Sequence, residues 1–322
     1  MFRMKRAAEV IPCALGAWLI FIPKTVMNDR QNGLAAVIFG LAFALILTRL
    51  PDIMRTKTKI FYVPLFFESI FAGGMFLRIF SEMTARVLLP EYKIWAIAAA
   101  MTAAVIYGES MGKKAKTRLA VLSAPVLLAG MVLCLVPAAN DMDIKNVDLI
   151  PVYAFNVLEN GIYAGLLMGF PILAADMEKK AETAGYLLLT GMFAVSAAFI
   201  WLSRFNYITD QPVLDLMYAG KSASSFIRRQ EGLILCIITV SAYFLLSGLT
   251  GCAARSLGSG RARSHAGFVG AGLIFLLSLL PENVQTAEIL FKTSVAAGGV
   301  YFLIILPAVE VLLYLYGRKK TV

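Results

Sequence analysis

Residues 232–254 read GLILCIITVSAYFLLSGLTGCAA, an uncharged run that begins after Glu231 and ends before Arg255. A helix rises about 1.5 Å per residue, so about 20 apolar residues cross a hydrocarbon core roughly 30 Å thick. The run is therefore long enough to span a membrane. Its polar side chains are short hydroxyls, a phenol and two thiols, and it carries no charge. It predicts a transmembrane α-helix.

The composition of the whole chain extends this prediction. Of its 322 residues, 59% are hydrophobic and 16% are charged, whereas soluble proteins carry about 25% charged residues. A water-soluble domain of this length has too little interior to bury so much apolar surface. The sequence has a single histidine, His265, and no GxxxxGK(S/T) loop, so neither a Ser-His-Asp hydrolase nor an ATP-driven pump is indicated. We predict an integral protein of the bacterial cell membrane that is not an enzyme.

Apolar runs bounded by charged or turn residues predict ten transmembrane helices. The runs cover residues 7–23, 33–50, 60–89, 94–108, 119–137, 149–177, 184–201, 232–254, 266–280 and 293–316. Lysine and arginine favour cytoplasmic loops, and every second connection in this order is rich in them. Both termini are therefore predicted to be cytoplasmic. The same loops explain the net charge of +10, so membrane lipids are expected around the chain and a nucleic-acid partner is not.

The cysteines give no sign of a disulfide or a metal site. Cys13, Cys134, Cys236 and Cys252 lie inside apolar runs without CxxC spacing. We expect buried free thiols. With one histidine in the chain, no metal ligand set is predicted, and no motif indicates a cofactor.

Two of the predicted helices carry a glycine near the middle and a proline toward the end. The first has Gly16 and Pro23, and the sixth has Gly161 and Pro171. Both residue types weaken a helix, and interrupted helices at matching positions in two halves of a chain are typical of inverted-repeat transporters. We predict five helices per repeat, with helices 1 and 6 broken; close helix packing at the glycines is the alternative. The single integral membrane domain and its two repeats cover residues 1–322, about 7–137 and about 149–316.

A break near the bilayer centre leaves backbone N–H and C=O groups unpaired. Half-helix N-termini attract a carboxylate and free carbonyls attract an ammonium group, so a zwitterionic amino acid is the expected ligand. Glu159 and Asn160, next to Gly161, are expected in this site because polar groups in hydrocarbon are retained where they are used. Glu68 and Glu159 are the candidate proton carriers, since burial favours a protonated carboxyl group; for Glu68, a buried partner is the alternative.

Three further features have structural interpretations. Arg78 and Glu82 are four residues apart, which places them on one helix face as an ion pair. Glu109 is expected in a cytoplasmic loop. The long connection 204–231 is expected to form an amphipathic helix on the outer face. Hydroxyls such as that of Thr239 could help to bind sodium, although they more often bond to carbonyls of their own helix.

Short motifs spread along the chain resemble those of one family. They are Ala14-Leu15-Gly16-Ala17 before Pro23, Leu77–Glu82 before Leu88-Leu89-Pro90, Tyr107–Gly112, Asn146–Val152, Pro212-Val213-Leu214, and Phe226–Glu231. In this order and spacing the chain resembles the endospore germination permeases, the B subunits of germinant receptors, a branch of the amino acid–polyamine–organocation superfamily. The chain departs from that family in being shorter, mainly around the second and third spans, and in the ending Phe170–Leu173 of the sixth.

The resemblance implies a leucine-transporter-like fold, with a small-molecule site between helices 1, 3, 6 and 8. It also implies partnership with a receptor A subunit and a lipoprotein C subunit in a spore inner membrane. The implied ligand-binding residues are Ala14, Leu15, Gly16, Ala17, Phe71, Gly74, Leu158, Glu159, Asn160, Gly161, Thr239 and Tyr243.

Two functions follow as hypotheses. The first is a receptor subunit that binds a small germinant, expected to be an amino acid, and signals to its partner subunits. The alternative is a secondary transporter of amino acids or polyamines coupled to protons or sodium. Neighbouring genes for A and C subunits would favour the receptor, and uptake driven by a pH gradient would favour the transporter. A membrane scaffold, the third class, predicts no pocket at the level of Gly16 and Gly161.

Overall fold

The computed structural model describes residues 9–18, 30–47, 62–87, 89–139, 142, 145, 147, 153–174, 180–204, 230–257, 261–305 and 308–309. These residues are helical apart from short connections, and they contain no β-strand. The helices are α1 (residues 10–18), α2 (Arg30–Leu47), α3 (Tyr62–Val87), α4 (Ile94–Met111), α5 (Lys113–Ala139), α6 (Ala154–Ala174), α7 (Lys180–Arg204), α8 (Gln230–Leu257), α9 (Arg261–Ser278) and α10 (Val284–Val300). A π-helical turn, Tyr301–Ile305, continues α10.

Each predicted apolar run overlaps one of these helices, although several helices extend beyond the run and α10 begins at Val284, nine residues before the predicted run 293–316. Among the described residues, four segments are long and apolar enough to cross a membrane, namely Val63–Arg86, Ile94–Met111, Lys114–Val136 and Gly232–Ala254. Shorter apolar helices cover Gln31–Ile46, Ala184–Ile200 and Ala266–Ser278. The predicted class, an all-α integral membrane protein, is confirmed. The predicted inverted repeat and the orientation of the termini stay predictions, and most of the predicted outer amphipathic helix, at 205–229, lies outside the described residues.

Helix α3 lies at the centre of the helix bundle. It packs against α4, α8, α9 and α10. Its buried face includes Ala72, Met75, Phe76 and Leu77, each at most 1% exposed. Helices on all sides remove this face from lipid and water, so polar groups on α3 depend on protein partners for their hydrogen bonds.

Among the described helices, α2 and α6 pack closely through their backbones. A Cβ atom at Gly40 would lie 2.9 Å from the carbonyl oxygen of Gly161 and 2.9 Å from the backbone nitrogen of Gly165. A Cβ at Gly161 would in turn lie 2.5 Å from a ring carbon of Phe39. Small residues four apart let two backbones approach this closely in a membrane.

The predicted break at Gly161 is therefore wrong. Ala154–Ala174 is one uninterrupted α-helix that passes through Gly161 and Pro171. The physical reason is that tight packing on α2 holds the helix together at the position where its sequence is weakest. A glycine in an apolar run is expected both at a helix break and at a close contact between helices. At Gly161 the structure has the close contact.

Gly16 has the same explanation. Residues 10–18 are helical through Gly16, while Pro23 lies outside the described residues. A Cβ at Gly16 would lie 2.7 Å from the carbonyl oxygen of Ser241, so α1 rests directly on the backbone of α8. No unwinding occurs at Gly16, and the two glycines pack on different helices, one on α8 and the other on α2.

A single residue connects α4 to α5. Gly112 has φ 81° and ψ 169°, and no other described residue has a positive φ. L-residues with a Cβ rarely adopt this backbone region. The corner turns the chain sharply between Met111 and Lys113, and it brings the end of α4 next to the start of α5.

Candidate functional site

A partly buried carboxylate on α3 defines the candidate site. Glu68 of α3 accepts a 2.7 Å hydrogen bond from the hydroxyl of Ser294 on α10. One helical turn further along α10, a Cβ at Gly298 would lie 3.0 Å from the carboxyl carbon of Glu68. The missing side chain at Gly298 thus leaves the space that the carboxyl group occupies, and Ser294 orients one of its oxygens.

The carboxylate faces a cavity of about 620 Å³ between α3, α9 and α10. Binding sites for small molecules typically measure about 300–1,000 Å³. Most of the lining is aromatic or aliphatic, and Glu68 is the charged residue among its described members. They are Pro64, Phe66, Phe67, Glu68, Ile70, Phe71, Leu273, Leu277, Ala297, Gly298 and Tyr301.

The depth of Glu68 follows from its distance to the polar end of α3. Arg78 donates a 3.0 Å hydrogen bond to the carbonyl oxygen of Glu282, in the connection between α9 and α10. Glu68 lies ten residues before Arg78, which is about 15 Å along a helix. A hydrocarbon core is roughly 30 Å thick. Glu68 is the sixth residue of the 24-residue apolar segment Val63–Arg86, so it lies inside that segment and closer to its Val63 end.

Charged residues at the Arg78 end pair with one another. Glu82 lies 3.4 Å from Arg78 and 2.7 Å from Arg86, both four residues away on α3. The predicted pairing of Arg78 with Glu82 is confirmed. These ions contact each other and the loop, so they are structural partners and leave Glu68 as the carboxylate of α3 that faces the cavity.

The opposite end of the bundle holds a second polar cluster that sequence reasoning missed. Glu109 accepts hydrogen bonds from Lys116 and, at 3.3 Å, from the hydroxyl of Ser247. The side chains of Lys116 and Glu109 are 15% and 18% exposed. The expectation that Glu109 lies in a loop is wrong: it belongs to α4, and its carboxylate links α4, α5 and α8.

Helix α1 joins the same end. The Thr117 hydroxyl donates a 2.6 Å hydrogen bond to Glu9, and the Cys13 thiol donates to the carbonyl of Phe244, 3.3 Å away. The first turn of α5 therefore holds α1 through Thr117 and holds α4 through Lys116. This cluster joins α1, α4, α5 and α8, and its role is structural. We call the Glu109, Lys116 and Ser247 contacts the latch.

The predicted ligand-binding residues fall into separate groups. Phe71 lines the cavity with Glu68, whereas Gly74, where a Cβ would lie 2.6 Å from the Cβ of Leu277, lies in the contact of α3 with α9. The four residues of α1 are buried against the bundle, and they are Ala14, Leu15, Gly16 and Ala17.

The remaining predicted residues lie elsewhere. On α6, Leu158 and Glu159 are exposed, Asn160 is partly buried and Gly161 packs on α2. On α8, Thr239 is exposed and Tyr243 is partly buried with its hydroxyl against Gly108. The structure thus brings Phe71 and Glu68 together. Ser294, Gly298 and Tyr301 complete that group but were not predicted, although two adjacent glycines, Gly298-Gly299, were a visible sign of close packing.

Metal ligands do not cluster in the part of the chain that the structure describes: no three His, Cys, Asp or Glu side chains there lie close enough to hold an ion. The cysteines are free; Cys13, Cys134 and Cys252 are buried as predicted, and Cys236 is exposed. The described cavity therefore offers a carboxylate, a hydroxyl and aromatic rings, a set suited to an organic ligand or a proton.

No family model matches the chain, and no curated protein matches it. Among solved structures, two mutants of the Eremococcus coleocola manganese transporter align with 98% of this chain and 72% of theirs, at 13% and 14% identity and a TM-score of 0.32. The same transporter in complex with an aromatic bis-isothiourea compound gives 13% identity and a TM-score of 0.30, with the same coverage. At these TM-scores the likeness does not define a function for this chain.

Proposed function

We propose that this chain is a permease-type membrane protein that binds a small molecule with an amino group at Glu68. In its finer form, the proposal is that the chain is the membrane subunit of a spore germinant receptor. The observation that carries the binding proposal is the Glu68 carboxylate, which faces a cavity within the apolar, membrane-spanning segment of α3. The finer form is supported by the ordered sequence motifs that resemble the germination permeases.

The energetics favour a functional role for Glu68. A carboxylate within hydrocarbon is costly and is kept where it meets a partner or a substrate. The Ser294 hydroxyl supplies one hydrogen bond, which leaves capacity on a group with about four acceptor positions. An ammonium group entering the cavity would supply both the opposite charge and up to three donors.

A thermal-shift screen of the purified full chain tests the binding proposal. Common amino acids and small amines are added to the wild type, to Glu68→Gln and to Glu91→Gln, a matched change at an exposed loop residue. A stabilising compound should lose its effect in Glu68→Gln and keep it in Glu91→Gln. Equal stabilisation of all three proteins would remove Glu68 from the site. A compound whose effect is lost in Glu159→Gln instead would move the site to α6.

The receptor form has its own test in the spore-forming host. Deletion of the gene should abolish germination in response to the stabilising compound, and a Glu68→Gln chain should not restore it. Co-purification with A and C subunits encoded nearby would support the assignment. Normal germination of the deletion strain with every compound that binds the protein would overturn the receptor form while leaving the binding site in place.

A proton-coupled secondary transporter is the second candidate, and the same carboxylate favours it. A carboxyl group within a membrane-spanning segment can carry a proton between two sides of a membrane. Liposomes that contain the purified chain should then accumulate a radiolabelled substrate when a pH gradient is applied, and Glu68→Gln should abolish the accumulation. Binding without accumulation would leave the receptor form as the surviving proposal.

A further inference from the structure

We propose that the Glu68 cavity selects an organic ammonium ion with an apolar or aromatic body and discriminates against a zwitterion of the same shape. This inference rests on the proposed binding function and adds the chemical class of the ligand. It differs from the sequence-based expectation of an amino acid held between two helix breaks, because the predicted break at Gly161 is absent and α1 is helical through Gly16.

The charges of the lining carry the first step. Glu68 is the ionisable acid among the described lining residues, and no lysine, arginine or histidine is among them. A cationic ligand would gain a partner for its charge, whereas none of the described lining residues offers a cation or an unwound helix end to the carboxylate of an amino acid. An unpaired buried charge is strongly unfavourable.

The shape and the aromatic residues carry the second step. Phe66, Phe67, Phe71 and Tyr301 line the cavity together with aliphatic side chains. Aromatic faces attract cations that lie within about 6 Å of the ring, and aromatic edges and aliphatic groups bury an apolar body. A cavity of about 620 Å³ has room for an arylalkylamine, so charge and volume favour the same class.

The third step is the placement of the carboxylate. Ser294 holds one oxygen and Gly298 leaves the carboxyl group room beside α10. Both residues fix Glu68 at the wall of the cavity between the aromatic side chains of α3 and Tyr301. A fixed carboxylate costs less ordering on binding than a mobile one. Ser294 and Gly298 are positioning residues, since they act through Glu68.

Three probes with one aromatic body separate the alternatives. Phenethylamine carries the ammonium alone, L-phenylalanine carries ammonium and carboxylate, and phenylpropionate carries the carboxylate alone. Binding to the full purified chain is measured by calorimetry at neutral pH, for the wild type, Glu68→Gln, the charge-retaining Glu68→Asp, and Glu91→Gln. Melting of each protein without probe reports whether it is folded.

We expect phenethylamine to bind the wild type with the highest affinity and L-phenylalanine to bind at least roughly tenfold more weakly. Phenylpropionate should show no binding. Folded Glu68→Gln should bind phenethylamine at least roughly tenfold more weakly than wild type, with Glu68→Asp between them and Glu91→Gln unchanged. Should Glu68→Gln fail to fold, the comparison of wild type with Glu68→Asp carries the test.

Other outcomes overturn the inference in distinguishable ways. L-Phenylalanine binding more tightly than phenethylamine, with dependence on Glu68, would refute the ligand class and leave the proposed function intact. Phenylpropionate binding as well as phenethylamine would refute the role of charge. Loss of Glu68 dependence for every amine and amino acid in the wider screen would refute both the inference and the proposed binding site.

Discussion

The hydroxyl of Ser294 lies 2.7 Å from a carboxylate oxygen of Glu68 and joins α10 to α3 across 226 residues of sequence. Ser294→Ala should lower the free energy of unfolding by about 1–3 kcal/mol, because it removes a hydrogen bond from a partly buried acid. Unfolding in mixed micelles of increasing SDS fraction measures the change. Thr293→Ala is the matched control: this exposed hydroxyl bonds to the carbonyl of Ile289 on its own helix, so its loss should cost less than about 0.5 kcal/mol. Equal decreases in the free energy of unfolding for Ser294→Ala and Thr293→Ala would contradict the hydrogen bond between Ser294 and Glu68.

A methyl group at Gly161 should separate α2 from α6. The added Cβ would lie 2.5 Å from Phe39 and 3.1 Å from the carbonyl oxygen of Ala36, so Gly161→Ala should destabilise the protein by about 1–3 kcal/mol through overpacking. Gly185→Ala, at a helical position with nothing within 4 Å, should be neutral or stabilising by up to about 1 kcal/mol. Unfolding of the two variants in detergent gives the comparison. A stabilising effect of Gly161→Ala would mean that the close approach is absent.

The corner at Gly112 makes a backbone prediction. Gly112→Ala should cost about 1–3 kcal/mol, because its φ of 81° lies in a region that a residue with a Cβ adopts with strain. The cost must come from the backbone, since nothing lies within 4 Å of an added Cβ. Gly272→Ala, in α9 with equally open surroundings, provides the control. Equal melting temperatures for the two variants would rule out the strained corner.

The pair of Glu109 and Lys116 predicts energetic coupling. In a double-mutant cycle, Glu109→Gln and Lys116→Met should show a coupling of about 1–3 kcal/mol, because both side chains are partly buried and share a hydrogen bond. Lys114→Met removes an exposed lysine from the same turn and should change stability by less than about 0.5 kcal/mol. Additive effects of Glu109→Gln and Lys116→Met would show that the latch is not formed.

Membrane orientation can be read by chemical labelling. Glu91 and Lys114 are exposed at opposite ends of α4, and the distribution of lysine and arginine predicts that the Lys114 end is cytoplasmic. In a Cys236→Ala background, which removes the exposed native thiol, a membrane-impermeant maleimide should label Glu91→Cys in intact cells and leave Lys114→Cys unlabelled until the cells are opened. The reverse pattern would invert the predicted topology.

The helices were predictable from sequence because a membrane helix must satisfy its backbone hydrogen bonds within one apolar segment. The run 232–254 therefore predicts α8 without knowledge of its neighbours. Gly161 was misinterpreted because an interrupted helix and a close helix contact both call for glycine. The packing of Phe39 against Gly161 distinguishes the two alternatives. It is a tertiary contact, which the sequence around Gly161 does not reveal.

The candidate site was predictable only in part, for a similar reason. Glu68 and Phe71 are visible in an apolar run of the sequence. Their partners Ser294 and Gly298 are far away along the chain, since 226 residues separate Glu68 from Ser294. Glu109 and Lys116 are seven residues apart, and they meet across the corner that Gly112 makes between α4 and α5. Helical spacing alone gives no indication of that corner.

The backbone contact of Gly40 with Gly161 and Gly165 has a mechanical consequence. Two helices whose main chains approach this closely cannot slide or tilt against one another without a steric clash. Helices α2 and α6 should therefore travel as one rigid body in any conformational cycle. Any motion that opens or closes the cavity should then occur at other helix contacts, such as that of α3 with α10. There the hydrogen bond from the Ser294 hydroxyl to the Glu68 carboxylate can break and re-form.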